Sequence, residues 1–263
     1  MISEPLRIRV RGPWACFTRP EFHVERVSYP VMTPSAARGV LEAILMKPIE
    51  KPEASKRDRK IGFRWRVLRI GIVKKGFLFP ILRNELGYKD HNDWGYDISD
   101  TDNVKTQRNS LILRGEVTPD DPVGHLQYLI EAVIEVPDPV RRLGEPFLIA
   151  KYQGMFERRV KAGQCFHRPY LGCREYPCDF EWAAGVEPTP IKERFGMMFR
   201  DFDFDPMWEF WPVGSPRPTK WESNGRAVTP IPKKDFLAET KGDGWITVAT
   251  IRQSNGKREV VEL

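Results

Sequence analysis

The chain has 263 residues, of which 30% are charged, with a formal net charge of +6. That length buries a good core in one large domain or two small ones, and the modest basic excess favours polyanionic partners without requiring them. No apolar run approaches the roughly 20 residues that cross a bilayer, and MISEPLRIRVRG lacks the apolar core of a signal peptide, so the chain is expected to be cytoplasmic with no membrane partner.

Cys16, Cys165, Cys173 and Cys178 fit reduced cytosolic thiols and give no disulfide framework. With 23 prolines and 8 tryptophans, the composition favours many strand ends and turns over a helical bundle. LRIRVRG alternates strictly, which predicts a half-buried strand with Leu6, Ile8 and Val10 inward. Arg7, Arg9 and Arg11 then form a cationic outer face, either simply solvated or in contact with RNA. In VMTPSAARGVLEAILMKP, Thr33 can cap a helix with Pro34 at its first position. Ala37, Val40, Leu41, Ile44 and Leu45 recur at helical spacing until Pro48. Residues 50–60 are nearly all charged or turn-forming and read as a surface connection.

Two β-rich runs follow, Arg64 to Val73 and Gly76 to Leu82, split by a Lys-Lys-Gly turn signal. Gly87 to Lys105 is polar and without periodicity, a long loop or hairpin tip. TQRNSLILRG and HLQYLIEAVIEV resume as strands, the second ending at Pro137. A second helix is predicted from Pro146 to Gly163, with Leu148, Tyr152, Met155, Phe156 and Val160 on its apolar side. Lys151, Arg158 and Lys161 line up on the other side. The proline-rich EPTP at 187–190 reads as a link to a smaller C-terminal unit, in which FGMMFRDFDF, KWESNGRAVTPI and WITVATI read as strands with SNG and GDG as turns. The order strand, helix, strands, helix invites a ferredoxin-like arrangement.

The chemistry concentrates in KAGQCFHRPYLGCREYPC, residues 161–178. Its C-x₇-C-x₄-C spacing lacks the paired knuckles that close a structural zinc site, and nothing fixes a His base beside a nucleophilic thiol. The cysteines read as semi-buried packing. A polyanion-holding loop accounts for more of the residues. Gly163 and Gly172 permit positive φ or close backbone approach, Arg168 and Arg174 can fork phosphate oxygens, and Phe166, Tyr170 and Tyr176 can stack on bases. The plainer alternative is a surface loop whose aromatics fold back into the core. RNA carries its own nucleophile in the 2′-hydroxyl, so a metal-free ribonuclease needs a base, an acid and positive charge at the phosphorane. Lys151, Arg158, Lys161 and His167 supply those types, a lysine among cations being shifted toward neutrality and able to act as base. Asp201, Asp203 and Asp205 alternate with Phe202 and Phe204, which reads as a solvated strand face before it reads as a magnesium site. No phosphate-binding P-loop, dinucleotide fingerprint, HExxH or GxSxG motif occurs.

The run MFERRVKAGQCFHRPYLGCREYP, with LRNEL at 82–86, TQRNSLILR at 106–114 and EAILMKP at 42–48, closely resembles the CRISPR-associated endoribonuclease of type I-C systems. This is the Dvulg subtype of the fifth Cas family, within the RAMP superfamily. The resemblance extends over nearly the whole chain, from the first strand to the strands around FGMMFRDFDF. It implies an α+β fold in which a ferredoxin-like, RRM-like RAMP domain (1–188) carries a small antiparallel β domain (189–263). It implies cleavage of CRISPR precursor RNA at the base of the repeat hairpin, without a metal or other cofactor. The product's 5′ tag then stays bound within the type I-C surveillance complex, whose other subunits are partners, and some members bind duplex DNA nonspecifically. Family catalysis rests on a Lys in the helix before the glycine-containing loop, matched here by Lys151. The following position, His in some members, is Tyr152, and the Tyr at the end of the first helix is replaced by Leu45. The expected catalytic set is Lys151, Tyr152 and His167, with Arg158, Lys161, Gly163, Arg168, Tyr170, Gly172 and Arg174 holding RNA. The alternative is a noncatalytic RNA- or DNA-binding scaffold of the same complex.

Overall fold

A computed structural model describes residues 1–22, 25–47, 62–86, 105–136, 147–203, 231–254 and 257–263. LRIRVRG forms β1 (Leu6–Gly12), with Leu6, Ile8 and Val10 buried as the alternation requires. Its outer face is neither bare nor free for RNA along its length. Arg7 bonds Glu131 and Glu187, each at 2.9 Å, and Arg9 pairs with Glu181. A short β2 (Trp14–Ala15), which the sequence does not announce, precedes α1 (Pro34–Ile44). Thr33 caps this helix by accepting from the Ala36 amide, and Ala37, Val40, Leu41 and Ile44 are buried along one side.

β3 (Arg64–Lys74) and β4 (Gly76–Leu86) meet at Lys75, as the turn signal predicts. β4 pairs with β5 (Lys105–Gly115) in an antiparallel ladder from Gly76↔Gly115 to Leu86↔Lys105, and β2 adds to the other edge of β5. The loop expected between β4 and β5 and the connection at 50–60 lie outside the described residues. β6 (Leu126–Glu135), α2 (Leu148–Lys161) and β7 (Asp179–Trp182) follow. The remaining strands are β8 (Arg194–Met198), β9 (Phe202–Asp203), β10 (Ile231–Pro232), β11 (Phe236–Glu239), β12 (Trp245–Thr247), β13 (Ala249–Ser254) and β14 (Lys257–Glu262).

The central sheet runs β12-β3-β6-β1-β7, with every neighbouring pair antiparallel. The fold is a mixed α/β architecture built mostly of antiparallel sheets with few helices. One face of the central sheet packs α1 and α2 into a single core containing Ile8, Val10, Ile70, Ile130, Leu41 and Phe156. Met198, Phe236, Ala238 and Ile246 from the C-terminal segment join that core. The opposite face presents Leu68 and Val133 to Ala249, Ile251 and Val260 of the β13–β14 hairpin. WITVATI is therefore two strands: β12 extends the central sheet beside β3, and β13 turns away after Val248. Most of KWESNGRAVTPI falls outside the described residues, while GDG forms a turn with Gly242 and Gly244 at positive φ. Asp201 accepts from Arg38 of α1 at 2.7 and 3.0 Å, a structural ion pair that ties the segment before β9 to that helix. No helix among the described residues is long and apolar enough to cross a membrane.

Candidate nucleic-acid interface

A helix leaves its last carbonyls without intrahelical partners, and at the end of α1 other elements supply them. The Ala43 carbonyl accepts from the amides of Phe166 at 2.8 Å and His167 at 3.3 Å. The Ile44 carbonyl accepts from the Arg159 guanidinium, the Leu45 carbonyl from Trp65 Nε1 at 2.9 Å, and the Lys47 carbonyl from the Phe63 amide at 3.1 Å. α1 has no basic residue in its own last turn, so Arg159 brings the positive charge that its C-terminal dipole favours. The end of α1 thus ties together the start of β3, the last turn of α2 and the loop that follows it.

α2 buries Leu148, Tyr152, Phe156 and Val160, one residue per turn, and exposes Lys151, Arg158 and Lys161. Seven residues separate Lys151 from Arg158, about 10 Å along the axis. Tyr152 is only 5% exposed. Its ring lies 4.8 Å from that of Phe63, in an aromatic row continued by Trp65 and Phe156, a position suited to packing rather than to contact with RNA. Because the Phe63 amide is bonded to Lys47, this row brings the first turn of α2, with Lys151 on its outer side, to the end of α1. Leu45, fully buried, completes the apolar floor there.

The Gly163 and Gly172 backbones have structural duties. The Gln164 amide bonds the Arg159 carbonyl at 2.8 Å and the Gly163 amide bonds that of Val160 at 3.2 Å, so Gly163, at φ 63°, closes α2 in a Schellman motif. Gly172, at φ 88°, lies against β2: a Cβ there would sit 2.0 Å from the Cys16 carbonyl oxygen. Between them the loop presents Phe166, 81% exposed, and His167, whose ring lies near-parallel to that of Tyr170 at 19° and 6.3 Å. His167 Nδ1 is 3.3 Å from the Arg168 carbonyl oxygen. Arg168 itself pairs with Asp179. Arg158 and Arg174 are exposed and have no carboxylate partner among the described residues, and Lys161 shares only an exposed pair with Glu157. A shallow groove of about 430 Å³ runs past Gly154, Glu157, Arg158, Lys161 and Ala162. Tyr176 is buried beneath Arg83 and presents no free face.

The cysteines are free thiols, with Cys16 and Cys178 buried. Cys16 and Cys173 each place sulfur 3.5 Å from the Thr18 hydroxyl oxygen. The hydrogen bond from Cys16 pulls the Cys173 thiol down to about 6, while burial pushes Cys178 up to about 12. Among the described residues no cluster of three or more metal-ligating side chains forms.

The family model for CRISPR-associated protein (Cas_Cas5), in its Cas5d form, matches residues 5–248. The chain belongs to this family. Among curated Cas5d proteins, the CRISPR pre-crRNA endoribonuclease of Thermus thermophilus is 38% identical over 92% of this chain and 90% of its own length. That of Mannheimia succiniciproducens is 33% identical over 78% of this chain and 87% of its own. Two solved structures share the fold: a CRISPR-associated protein with TM-score 0.52, covering 100% of this chain and 98% of its own at 19% identity, and the functionally uncharacterized protein SMU1763c from Streptococcus mutans. The latter has TM-score 0.51 at 18% identity and covers 100% of this chain and 99% of its own. The loop singled out in the sequence is bonded to the end of α1, and the sequence reading omits Arg159, whose guanidinium links α2 to that same end. The signal was present in ERRVK, where Arg158 and Arg159 are adjacent and so point about 100° apart around the helix.

Proposed function

We propose that this chain is an endoribonuclease that cleaves CRISPR precursor RNA at the base of the repeat hairpin by 2′-hydroxyl attack, without a metal. It then stays on the 5′ tag with other subunits of the type I-C surveillance complex. The pre-crRNA endoribonuclease relatives support the reaction class. The observation that carries the assignment to this site is the bonding of the exposed His167 and its aromatic loop to the end of α1, with the exposed Lys151 next to Tyr152, which packs on Phe63 where that residue bonds the chain leaving α1. Within the sheet β12-β3-β6-β1-β7, the order β3-β6-β1-β7, with α1 following β1 and α2 following β6, supports a ferredoxin-like reading of 1–188, to which 189–263 adds the edge strand β12 and short antiparallel pairs.

A carbonyl only accepts, so His167 Nδ1 serves the Arg168 carbonyl as donor, and in the neutral ring Nε2 is left with its lone pair outward. His167 takes the proton of the 2′-hydroxyl as O2′ bonds to phosphorus. Lys151, as ammonium, faces the charge of the pentacoordinate phosphorane and protonates O5′ as the P–O5′ bond breaks. The products are a 2′,3′-cyclic phosphate and a 5′-hydroxyl. Arg158, Lys161 and Arg174 hold flanking phosphates, Arg168 does so on release from Asp179, and Tyr152 positions Lys151 through its packing on Phe63. Nonspecific duplex DNA binding is carried by the same cations.

A second reading, a noncatalytic scaffold, is favoured by one observation: the positions at which the family resemblance places Tyr and His hold the buried Leu45 and Tyr152. Incubation with repeat RNA in EDTA separates the two. Cleavage is expected to persist, to stop on a single 2′-deoxy substitution at the scissile nucleotide or with Lys151→Ala, and to fall by about 10²–10⁴-fold with His167→Ala. Cleavage that survives the 2′-deoxy change overturns the mechanism, and tight binding without turnover establishes the scaffold. Loss of duplex DNA affinity on raising salt, without sequence preference, is the mark of the nonspecific component.

A further inference from the structure

We infer that Phe166, beside the His167–Tyr170 pair, is a stacking platform for an unpaired nucleobase next to the hairpin stem. The inference rests on the proposed RNA reading and specifies which part of the RNA the loop takes. Phe166 is 81% exposed, although its backbone is fixed by the bond of its amide to Ala43 and by the Schellman closure of α2 just before it. A large ring held in water by a rigid loop loses little further freedom when a flat ligand covers it. The His167 ring lies 6.0 Å from that of Phe166, and Tyr170 continues the row.

The surroundings favour a base over a protein side chain. Arg158 and Arg174 stand exposed without carboxylate partners among the described residues, and cations interleaved with aromatic faces are the pattern single-stranded RNA takes. Among the described residues, Met46 is the exposed large apolar side chain in the segment directly following α1, to whose end Phe166 is bonded. One ring and one thioether make a small patch for a protein hot spot but suffice for a base. Bases within an A-form stem are already stacked and paired, so the occupant comes from the single-stranded flank.

The test uses the full chain and two RNAs, the repeat hairpin with its single-stranded flanks and the same hairpin trimmed to the stem. Phe166→Ala is expected to weaken binding of the flanked RNA by about 5- to 150-fold, the range for one stacked base, and to leave the trimmed stem unaffected. Phe166→Trp is expected to retain affinity, whereas Phe166→Leu, apolar but without a π face, fails as alanine does. A 2-aminopurine placed in the flank is expected to be quenched by the native protein and not by Phe166→Ala, with an unchanged salt slope because no phosphate contact is removed. Flanked-RNA affinity within twofold of native for Phe166→Ala, or native affinity for Phe166→Leu, overturns the platform alone. Impaired assembly with other subunits at unchanged RNA affinity assigns the ring to a protein partner and also overturns it. Failure of the native chain to bind either RNA overturns the RNA reading itself.

Discussion

Replacement of Gly172 by alanine distinguishes a structural glycine from a phosphate-cradling one. The residue sits at φ 88°, and an added Cβ would lie 2.0 Å from the Cys16 carbonyl oxygen, 2.6 Å from its carbon and 3.1 Å from the Phe17 amide nitrogen. These are backbone atoms, so no side-chain rotation relieves the clash. The Cys16 amide, bonded to Leu171 at 3.0 Å, would be pulled from its partner as the loop backs away. A non-glycine residue in left-handed backbone costs about 1–2 kcal/mol, overpacking about 1–3 kcal/mol, and the lost hydrogen bond about 1 kcal/mol. The sum, about 3–6 kcal/mol, corresponds to a fall in Tm of roughly 6–24 °C for a chain of this size. Gly163→Ala is the control: its φ is 63° but its Cβ meets nothing within 4 Å, so only the backbone cost of about 1–2 kcal/mol applies. Calorimetry on both variants, with RNA affinity measured where each is folded, is expected to rank Gly172→Ala well below Gly163→Ala and to leave the affinity of the latter near native. A Gly172→Ala protein melting within about 2 °C of native, yet unable to bind RNA, would refute the structural reasoning and return the glycine to the phosphate.

Asp121 accepts from the amides of Gly124 and His125 and from Lys74, and the His125 amide, its largest influence, holds the carboxyl well below the ordinary aspartate range. Its folded pKa lies below the unfolded one, so its stabilisation is complete above the ordinary aspartate range and is lost as pH falls from there through the folded value. Asp121→Asn is therefore expected to lose about 2 kcal/mol at pH 7, with the gap to native closing on acidification in urea titrations; a gap independent of pH refutes this. The alkylation rate of Cys173 is expected to reach half its maximum below the ordinary thiol range, and Cys16→Ala to move that midpoint toward ordinary thiol values; an unmoved profile removes the link between the sulfurs. Leu45→Tyr, offered as a restoration of the family tyrosine, is expected to lower stability by about 1–3 kcal/mol without raising cleavage, because Leu45 is fully buried; faster cleavage at unchanged Tm sinks that account.

The strands and helices that position the site were legible wherever one face is buried and the other wet. The period-two pattern of Leu6, Ile8 and Val10 and the Thr33-Pro34 opening of α1 are local signals, and local signals survive in the sequence. What β1 does with its arginines was not legible, because their carboxylates come from residues 131, 181 and 187 and periodicity marks a face without naming what covers it. The same limit hid β11 and β14: FLAE is four residues long, and KREVVE alternates around charged groups that pair across the fold, as Glu262 does with Arg66. In the loop, the residue types pointed to nucleic acid, but Gly163 is set by the local closure of α2 and Gly172 by the approach of Cys16, a contact made across about 155 residues of chain.

That difference bears on how cleavage is supported. A proton-transfer group must reach the reacting atoms, and the side chains of Leu45 and Tyr152 are buried in the core. The carbonyl just before Leu45 and its neighbour, those of Ala43 and Ile44, hold His167 and Arg159 to this same end of α1. A loop histidine fixed to the helix terminus can thus stand over the region that a side chain from the helix itself would reach. In the proposed mechanism this makes His167, rather than a residue at position 45, the group whose loss should lower the cleavage rate while leaving RNA affinity in place.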